Sequence, residues 1–449
     1  MVDRNNVPVT VNRLISGKGG QGEIYHVTYK GNDYALIWYC KHEEDTIGGE
    51  QYETIKTICG EEKLPEEFIW PLFIVTEKNP AGNVNYLVAD TKEGKGKVFG
   101  YLMRLIPEGY YEMSDFLRAD DDPKAKRFKS YNSLLVAGMN IAASMKKLHL
   151  AGLLFVELNP DGYVINPETG NVLVVNCDSI AVDGRLCSVK GMRCYVAPEI
   201  PRSHYKKAPD MRTDYYSLAI VLYRLFFIDH PMEGAAFDKY PLWTEQVEDY
   251  LYAINPVFHF DPNNDSNRPT EKYAPNAYLR WVIMPLELRK LFIRAFTEGI
   301  ENPGKRPTEF EWLSTIGRVR DKLVRIIPGL QETFVNFENI ESIPKGCLGM
   351  KVENNILAIY PRKVLYESSI FENTNRYLTI SAGIVYDQEL KKLCMRNLTD
   401  RVWRCYSDRD KKLTNVGKGE QYPLEDGVMI EFQHDEPRIV GTVFDPRKG

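Results

Sequence analysis

The sequence predicts an α+β chain that ends in an all-β region. Residues 11–106 read mostly as strand, and residues 131–326 carry apolar side chains at helical spacing. From Ile356 onward, short alternating segments recur between Gly, Asn and Asp turn signals. In chain order, Glu23 to Lys30 alternates, with Tyr25, Val27 and Tyr29 on one face, and Lys30-Gly31-Asn32-Asp33 reads as a turn. Tyr34 to Cys40 is almost continuously apolar, as in a strand covered on both faces. Gly49 to Cys59 predicts a helix; Phe68 to Thr76, Asn85 to Ala89 and Val98 to Leu105 predict strands. After the charged stretch Arg118 to Lys129, helices are expected over Tyr131 to His149, Thr213 to Phe227, Pro285 to Phe296 and Thr308 to Ile326. The segments ILAIY, KVLYE, RYLTI, GIVYD, KLCMRNL, VWRCY, GVMIEF and RIVGTV then suggest a sandwich, with Gln331 to Lys345 as the link.

Composition narrows the class without naming an activity. A length of 449 residues allows two or three domains at ~150 residues each. Apolar residues make up 43% and charged residues 27%, which speaks against a disordered chain. The formal charge of −5 argues against a dedicated nucleic-acid binder, which usually carries a basic excess. No apolar run approaches the ~18 residues of a membrane span. The opening MVDRNNVPVT has no apolar signal core, and the eight cysteines form no C-x-x-C pair. The expectation is a cytoplasmic chain without membrane attachment, disulfide scaffold or metal site.

The most informative stretch is Gly17-Lys18-Gly19-Gly20-Gln21-Gly22. A lone G-x-G-x-x-G is weak, because glycines make turns in many contexts. A dinucleotide fold or Walker loop needs a helix after the glycines, so that its N-terminus faces phosphate. Here a strand, a tight turn and another strand follow. That is the arrangement in which backbone N–H groups form a lid over the phosphates of ATP.

From that point the chain resembles the protein kinases. Tyr34-Ala35-Leu36-Ile37 is similar to the V-A-I-K strand, and Phe155-Val156-Glu157-Leu158-Asn159-Pro160-Asp161-Gly162 to the H-R-D-L-x-x-x-N catalytic loop. Asn176-Cys177-Asp178 takes the place of D-F-G, and Ala197-Pro198-Glu199 is an intact A-P-E. Thr213-Asp214 opens a segment similar to the buried central helix of the large lobe. Arg306 stands where kinases keep the partner of the A-P-E glutamate. The resemblance covers residues 11–326. More narrowly it points to the bacterial kinase-like proteins of tellurite-resistance and stress gene clusters. The features are Phe68-Ile69-Trp70-Pro71-Leu72, the segment from His230 to Gly234, the stretch from Asn255 to Pro269, and the segment from Ala295 to Gly299. Lys392 to Trp403 and Gly419 to Phe432 resemble the late strands of a forkhead-associated (FHA) sandwich. The resemblance implies a bilobal protein-kinase-like fold, with an N-lobe over 1–106 and a C-lobe over 107–326. A linker over 327–345 and an FHA-like β-sandwich over 346–449 follow.

The departures from the kinase pattern fall on charge-handling positions. Ile37 occupies the place of the phosphate-pairing lysine, and Glu157 that of the catalytic aspartate. Gly162 replaces the metal-binding asparagine and Asn176 the metal-binding aspartate. A neutral amide is a poor substitute for a carboxylate at Mg²⁺, which prefers hard anionic oxygens. Lys41 shares a face with Ile37 but lies four residues on, ~13 Å away at ~3.3 Å per residue. Lys18, inside the glycine loop, is the better substitute, against a plain reading as a solvated loop-tip lysine. Glu50 and Glu53 would then lack a lysine partner and read as a solvated helical face. Asp214 and a Glu199–Arg306 pair, which serve the fold, persist.

Two smaller patterns complete the reading. Asp261, Asn263, Asp265 and Asn267 alternate like a calcium loop, but Ser266 and Lys272 replace its glycine and final glutamate. An Asn-rich, self-hydrogen-bonded loop fits better. In the sandwich, Arg362 is a loose candidate for the arginine with which FHA domains read phosphothreonine, and a purely structural or protein-docking sandwich stays open beside that reading.

The expectation is therefore a pseudokinase with no catalytic residue and no metal site, acting as a scaffold or allosteric partner in phosphorylation-dependent signalling. Gly17, Lys18, Gly19 and Gly22 would contact any bound ATP or ADP. No cofactor is required, and the substitutions speak against Mg²⁺. The implied partners are a Ser/Thr phosphatase, an active kinase or a von Willebrand A-domain protein, not nucleic acid or membrane. Two rivals stay open. One is an active atypical Ser/Thr kinase or nucleotidyl transferase using Lys18, Glu157 and Asp161 or Asp178. The other is a pure adaptor whose cleft is closed by Ile37 and Trp38.

Overall fold

The computed structural model describes residues 2–3, 7–16, 22–39, 49–59, 65–76, 88–91, 94–97, 99–119, 121–177, 180–184, 191–327, 331–372, 374–409 and 411–448. The chain is a mixed α/β protein with a β-rich C-terminal region. It divides into two compact units. One comprises 1–126, 144–167 and 171–221; the other comprises 127–143, 168–170 and 222–449. Among the described residues, no helix is long and apolar enough to cross a membrane.

In the first unit six antiparallel strands form a sheet in the order Val2–Asp3, Phe73–Thr76, Gly100–Met103, Asn32–Tyr39, Gly22–Tyr29, Val9–Ser16. Lys30 and Gly31, both at positive φ (49° and 80°), close the central hairpin, as its right-handed twist requires. Side chains alternate across the sheet. Ala35, Tyr39 and Tyr101 join Phe99, Val164 and Val175 on one face, where Ile55 of the helix Glu50–Ile58 covers them. Val27, Tyr29, Leu36, Trp38 and Leu102 form a second cluster on the other. The described part of that apolar run, Tyr34 to Tyr39, is thus covered on both sides, as the unbroken pattern predicts.

The second unit contains the helices Leu286–Phe296 and Glu309–Asp321 and a two-sheet sandwich. A Thr308–Glu311 capping box starts the second helix, satisfying backbone N–H groups that the helix itself cannot. It ends at Asp321, short of the expected Ile326. The β-branched run Leu323–Ile327 instead pairs with Gln331–Phe334 as a hairpin, so the expected link carries a strand of its own. In the sandwich, the larger sheet has the order Asn355–Ile359, Leu348–Val352, Ile439–Phe444, Met429–Gln433, Trp403–Ser407, Lys412–Val416. The smaller runs Val364–Tyr366, Ile380–Asp387, Lys392–Asn397, Gln421–Pro423. Met350, Leu357 and Phe432 from one sheet meet Leu365, Ile384 and Met395 from the other in a single apolar core.

Candidate functional site

One buried carboxylate holds the start of the segment Phe155–Gly162. Asp214, on the helix Met211–Phe227, is only 2% exposed. Its Oδ2 accepts from the Phe155 backbone N–H at 2.7 Å and lies 3.0 Å from Nε2 of His149. Two residues past Glu157, the Asn159 side chain donates to the Glu157 carbonyl and accepts from the Asp161 N–H, both at 2.8 Å. That Asx turn and Pro160 start a single 3-10 turn, which places Asp161 at the surface and buries Gly162. The Val175 N–H donates to the Gly162 carbonyl at 2.9 Å, and the Asn176 amide donates to the Asp161 carbonyl at 3.2 Å. Residues distant in sequence therefore meet around 155–162, with 174–176 laid against them. Burial, followed by the nearby Asp214 charge, pushes the Tyr163 phenol far above its ordinary range, so it stays protonated.

The substituted positions have structural roles of their own. Ile37 packs half-buried with Ile24 and Tyr101 against the Ala35–Tyr39 face, an apolar setting that would penalise a lysine charge. At Gly162 a β-carbon would lie 2.9 Å from the Phe155 ring, so any larger residue there needs that buried ring to shift. Asn176 has φ +56°, a conformation asparagine tolerates well, and its amide is engaged with Asp161. Trp38 corrects the closed-cleft expectation. Consecutive strand residues point to opposite faces, and Trp38 packs with Val27 and Leu36, away from Ile37.

Gly17, Lys18 and Gly19 lie outside the described residues, as do Lys41 and Asp178. Gly22 begins its strand so close to the Trp38 carbonyl that a β-carbon would overlap it. The Glu50 side chain is outside the described set, and Glu53 pairs in solvent with Lys56 at 3.1 Å. Glu199 lies 4.0 Å from Lys207, and buried Arg306 donates through Nε to the Gly299 carbonyl at 2.8 Å. The calcium-like loop is self-bonded. Asp261 accepts from the Asn263 N–H and Asn264 from the Ser266 N–H within the loop, while buried Asn267 ties it to the Met232 and Val257 carbonyls outside.

A second candidate site, not foreseen as a cavity, lies in the sandwich. Three short segments line a half-open pocket of about 230 Å³. Glu367 and Phe371 come from the first, Arg376 and Thr379 from the second, and Thr399 and Arg401 from the third. Fully buried Asn397 shapes the third loop, donating to the Arg401 and Val416 carbonyls and accepting from the N–H and hydroxyl of Thr399. The Arg401 guanidinium stacks over Phe371 at 4.8 Å. Exposed Arg376 stands 3.6 Å from Glu367, and Asp400 is engaged by Lys418 at 2.8 Å. Ser381, 1% exposed, lines the cavity with a hydroxyl that has no partner among the described residues. Arg362 is not part of this wall. It sits exposed in a turn at φ +68°, its N–H bonded to the Ile384 carbonyl. Its neighbour Lys363 points inward, donating to the Arg320 and Leu323 carbonyls. No protein-family model matches this chain, and none of the curated proteins matches it.

Proposed function

We propose that this chain is a catalytically impaired protein-kinase homologue, a pseudokinase, with an FHA-like tail. It serves as a cytoplasmic scaffold or allosteric partner in phosphorylation-dependent signalling. The observation that carries the reading is the Asp214 anchor. A buried helix carboxylate holds the Phe155 backbone where the 155–162 segment begins, while the charged groups that phosphoryl transfer uses are absent from positions 37, 162 and 176. The steric closure at Gly162 and the apolar setting of Ile37 support a loss built into the packing rather than a set of exposed replacements. The sheet orders of the sandwich are compatible with the FHA-like reading. The cavity supplies its contact point. Arg376 and Arg401 line it beside the carboxylates Glu367 and Asp400, and guanidinium groups bind phosphate through paired, charge-assisted hydrogen bonds, so a phosphorylated side chain would take the place of Glu367 on Arg376. The partners would be phosphorylated signalling proteins, with a Ser/Thr phosphatase, an active kinase or a von Willebrand A-domain protein as the classes the resemblance implies.

Nucleotide binding separates this reading from an active enzyme. In a thermal-shift titration with ATP or ADP, adding MgCl₂ is expected to give no stabilisation beyond that of the nucleotide alone. A Mg²⁺-dependent rise in melting temperature that Asn176→Ala removes would overturn it.

A further inference from the structure

The sandwich cavity shares its walls with a buried polar joint. Where the helix Glu309–Asp321 ends, Arg320 and Asp321 are both 1% exposed. The Arg320 guanidinium stacks on the Tyr366 ring at 3.7 Å. Its Nη2 donates to the Ser368 hydroxyl and the Tyr377 carbonyl at 3.3 and 3.1 Å. Asp321 accepts from the Ser369 hydroxyl at 2.7 Å and the Asn355 amide at 2.9 Å. Lys363, 7% exposed, donates to the Arg320 carbonyl in the helix's last turn and to the Leu323 carbonyl just beyond it.

Two short segments face both places. In the turn Glu367–Ile370, Glu367 and Ile370 line the cavity, while the intervening Ser368 and Ser369 hold the helix end. In the next loop Arg376 lines the cavity, while the adjacent Tyr377 carbonyl is held by Arg320. The cavity wall bearing Glu367 and Arg376 is thus braced from behind by the helix terminus.

The joint is also poorly satisfied. It buries two cations against one carboxylate. Nε and Nη1 of Arg320 and Oδ1 of Asn355 have no hydrogen-bond partner among the described residues. Incompletely paired buried charges cost stability relative to apolar packing, so the joint is a natural place for the helix end to release.

We infer that filling of the sandwich cavity and seating of the Glu309–Asp321 helix end are energetically linked through residues 367–370 and 376–377. This rests on the reading of the cavity as a site for a phosphorylated side chain. With the helix seated, the segments carrying Glu367 and Arg376 are held in place, and a ligand does not bear the cost of ordering them. With it released, they are free, and binding weakens. By linkage, a ligand that prefers the held wall must in turn favour the seated helix.

The test uses the full chain and a fluorescent degenerate phosphothreonine peptide library, with the unphosphorylated library as control. Binding is read by anisotropy, and backbone exchange of residues 317–327 by hydrogen–deuterium exchange. The wild type is expected to prefer the phosphorylated library and to slow exchange at 317–327 when it binds. Arg320→Leu is expected to weaken binding about tenfold, within the 5–150-fold range of such couplings, although residue 320 does not line the cavity. Ser368→Ala, a smaller change, is expected to act in the same direction and guards against misfolding of the first variant. Arg401→Ala should abolish the preference. Preferential binding with unchanged exchange, and with both joint variants binding as wild type, overturns the linkage and leaves the cavity reading intact. Equal binding of the two libraries overturns the cavity reading and the linkage with it.

Discussion

Asp214→Ala is expected to lower the stability of the first unit by about 3–5 kcal/mol. Two hydrogen bonds to a charged acceptor, at about 1.5–3 kcal/mol each, would give about 3–6 kcal/mol, and partial relaxation of the site trims the upper end. The carboxylate accepts from the Phe155 N–H at 2.7 Å and lies 3.0 Å from the His149 ring in a site with almost no solvent. Alanine leaves that N–H buried and without its acceptor, so no water offsets the loss. Asp214→Asn keeps an oxygen of the same reach and should lose no more than about half as much. Urea unfolding followed by tryptophan emission checks this, since Trp38 and Trp70 lie in this unit. An alanine variant within about 1 kcal/mol of wild type would show that Asp214 does not anchor the 155–162 segment.

The second large effect is a pH dependence at Lys363. Burial pushes this ammonium down to about 8, more than the attraction of Asp321 restores. Below pH 8 the folded and unfolded chains both hold the proton, and the folded chain bears the full desolvation cost. Between about pH 8 and the ordinary lysine value near 10.5, the unfolded chain keeps a proton that the folded chain has released. Stability contributed at this site therefore rises with pH through that window, by about 3 kcal/mol in all. Other groups titrate there, among them Tyr360, whose phenol burial pushes up to about 12. The clean quantity is the difference between wild type and Lys363→Met. Wild type should gain on the variant from pH 8 to 10.5, measured by denaturant unfolding at fixed ionic strength. A constant difference across that range would show that burial does not depress Lys363 in the folded chain, which then keeps its proton as the unfolded chain does.

Much of the architecture was legible because it rests on periodicity. The paired strands from Val9 to Tyr39 and the helices at 131–150 and 286–296 carry enough residues for their pattern to declare itself. Strands of three residues, such as Leu153–Phe155 and Tyr163–Ile165, are too short to show a period, and their long-range pairing is what makes them strands. The end of the helix at Asp321 was missed for a related reason. Leu323–Ile327 is apolar enough to continue a helical stripe, and only its hairpin partner turns it into strand.

At the candidate site, the altered positions could be named from order along the chain, but their physical reasons could not. Nothing local to Gly162 reveals that the Phe155 ring fills its side-chain space. The placement of Trp38 was within reach, because adjacency to Ile37 on a strand already assigns it to the opposite face. The sandwich cavity gathers residues from three loops spread over 367–401, and its signal in the sequence is a set of ordinary polar residues. Arg362 is by sequence a loose candidate for a phosphothreonine-reading arginine; it lies outside the cavity lining, and its buried neighbour Lys363 bonds the Arg320 carbonyl.

The central claim is that a kinase-like scaffold persists here without the chemistry of phosphoryl transfer. The most direct measurement incubates the purified chain with γ-labelled ATP, Mg²⁺ or Mn²⁺, and a mixture of phosphatase-treated proteins, beside a Glu157→Ala control. The account predicts no incorporation of label above that control. Label transferred by the wild type and lost in Glu157→Ala would contradict it.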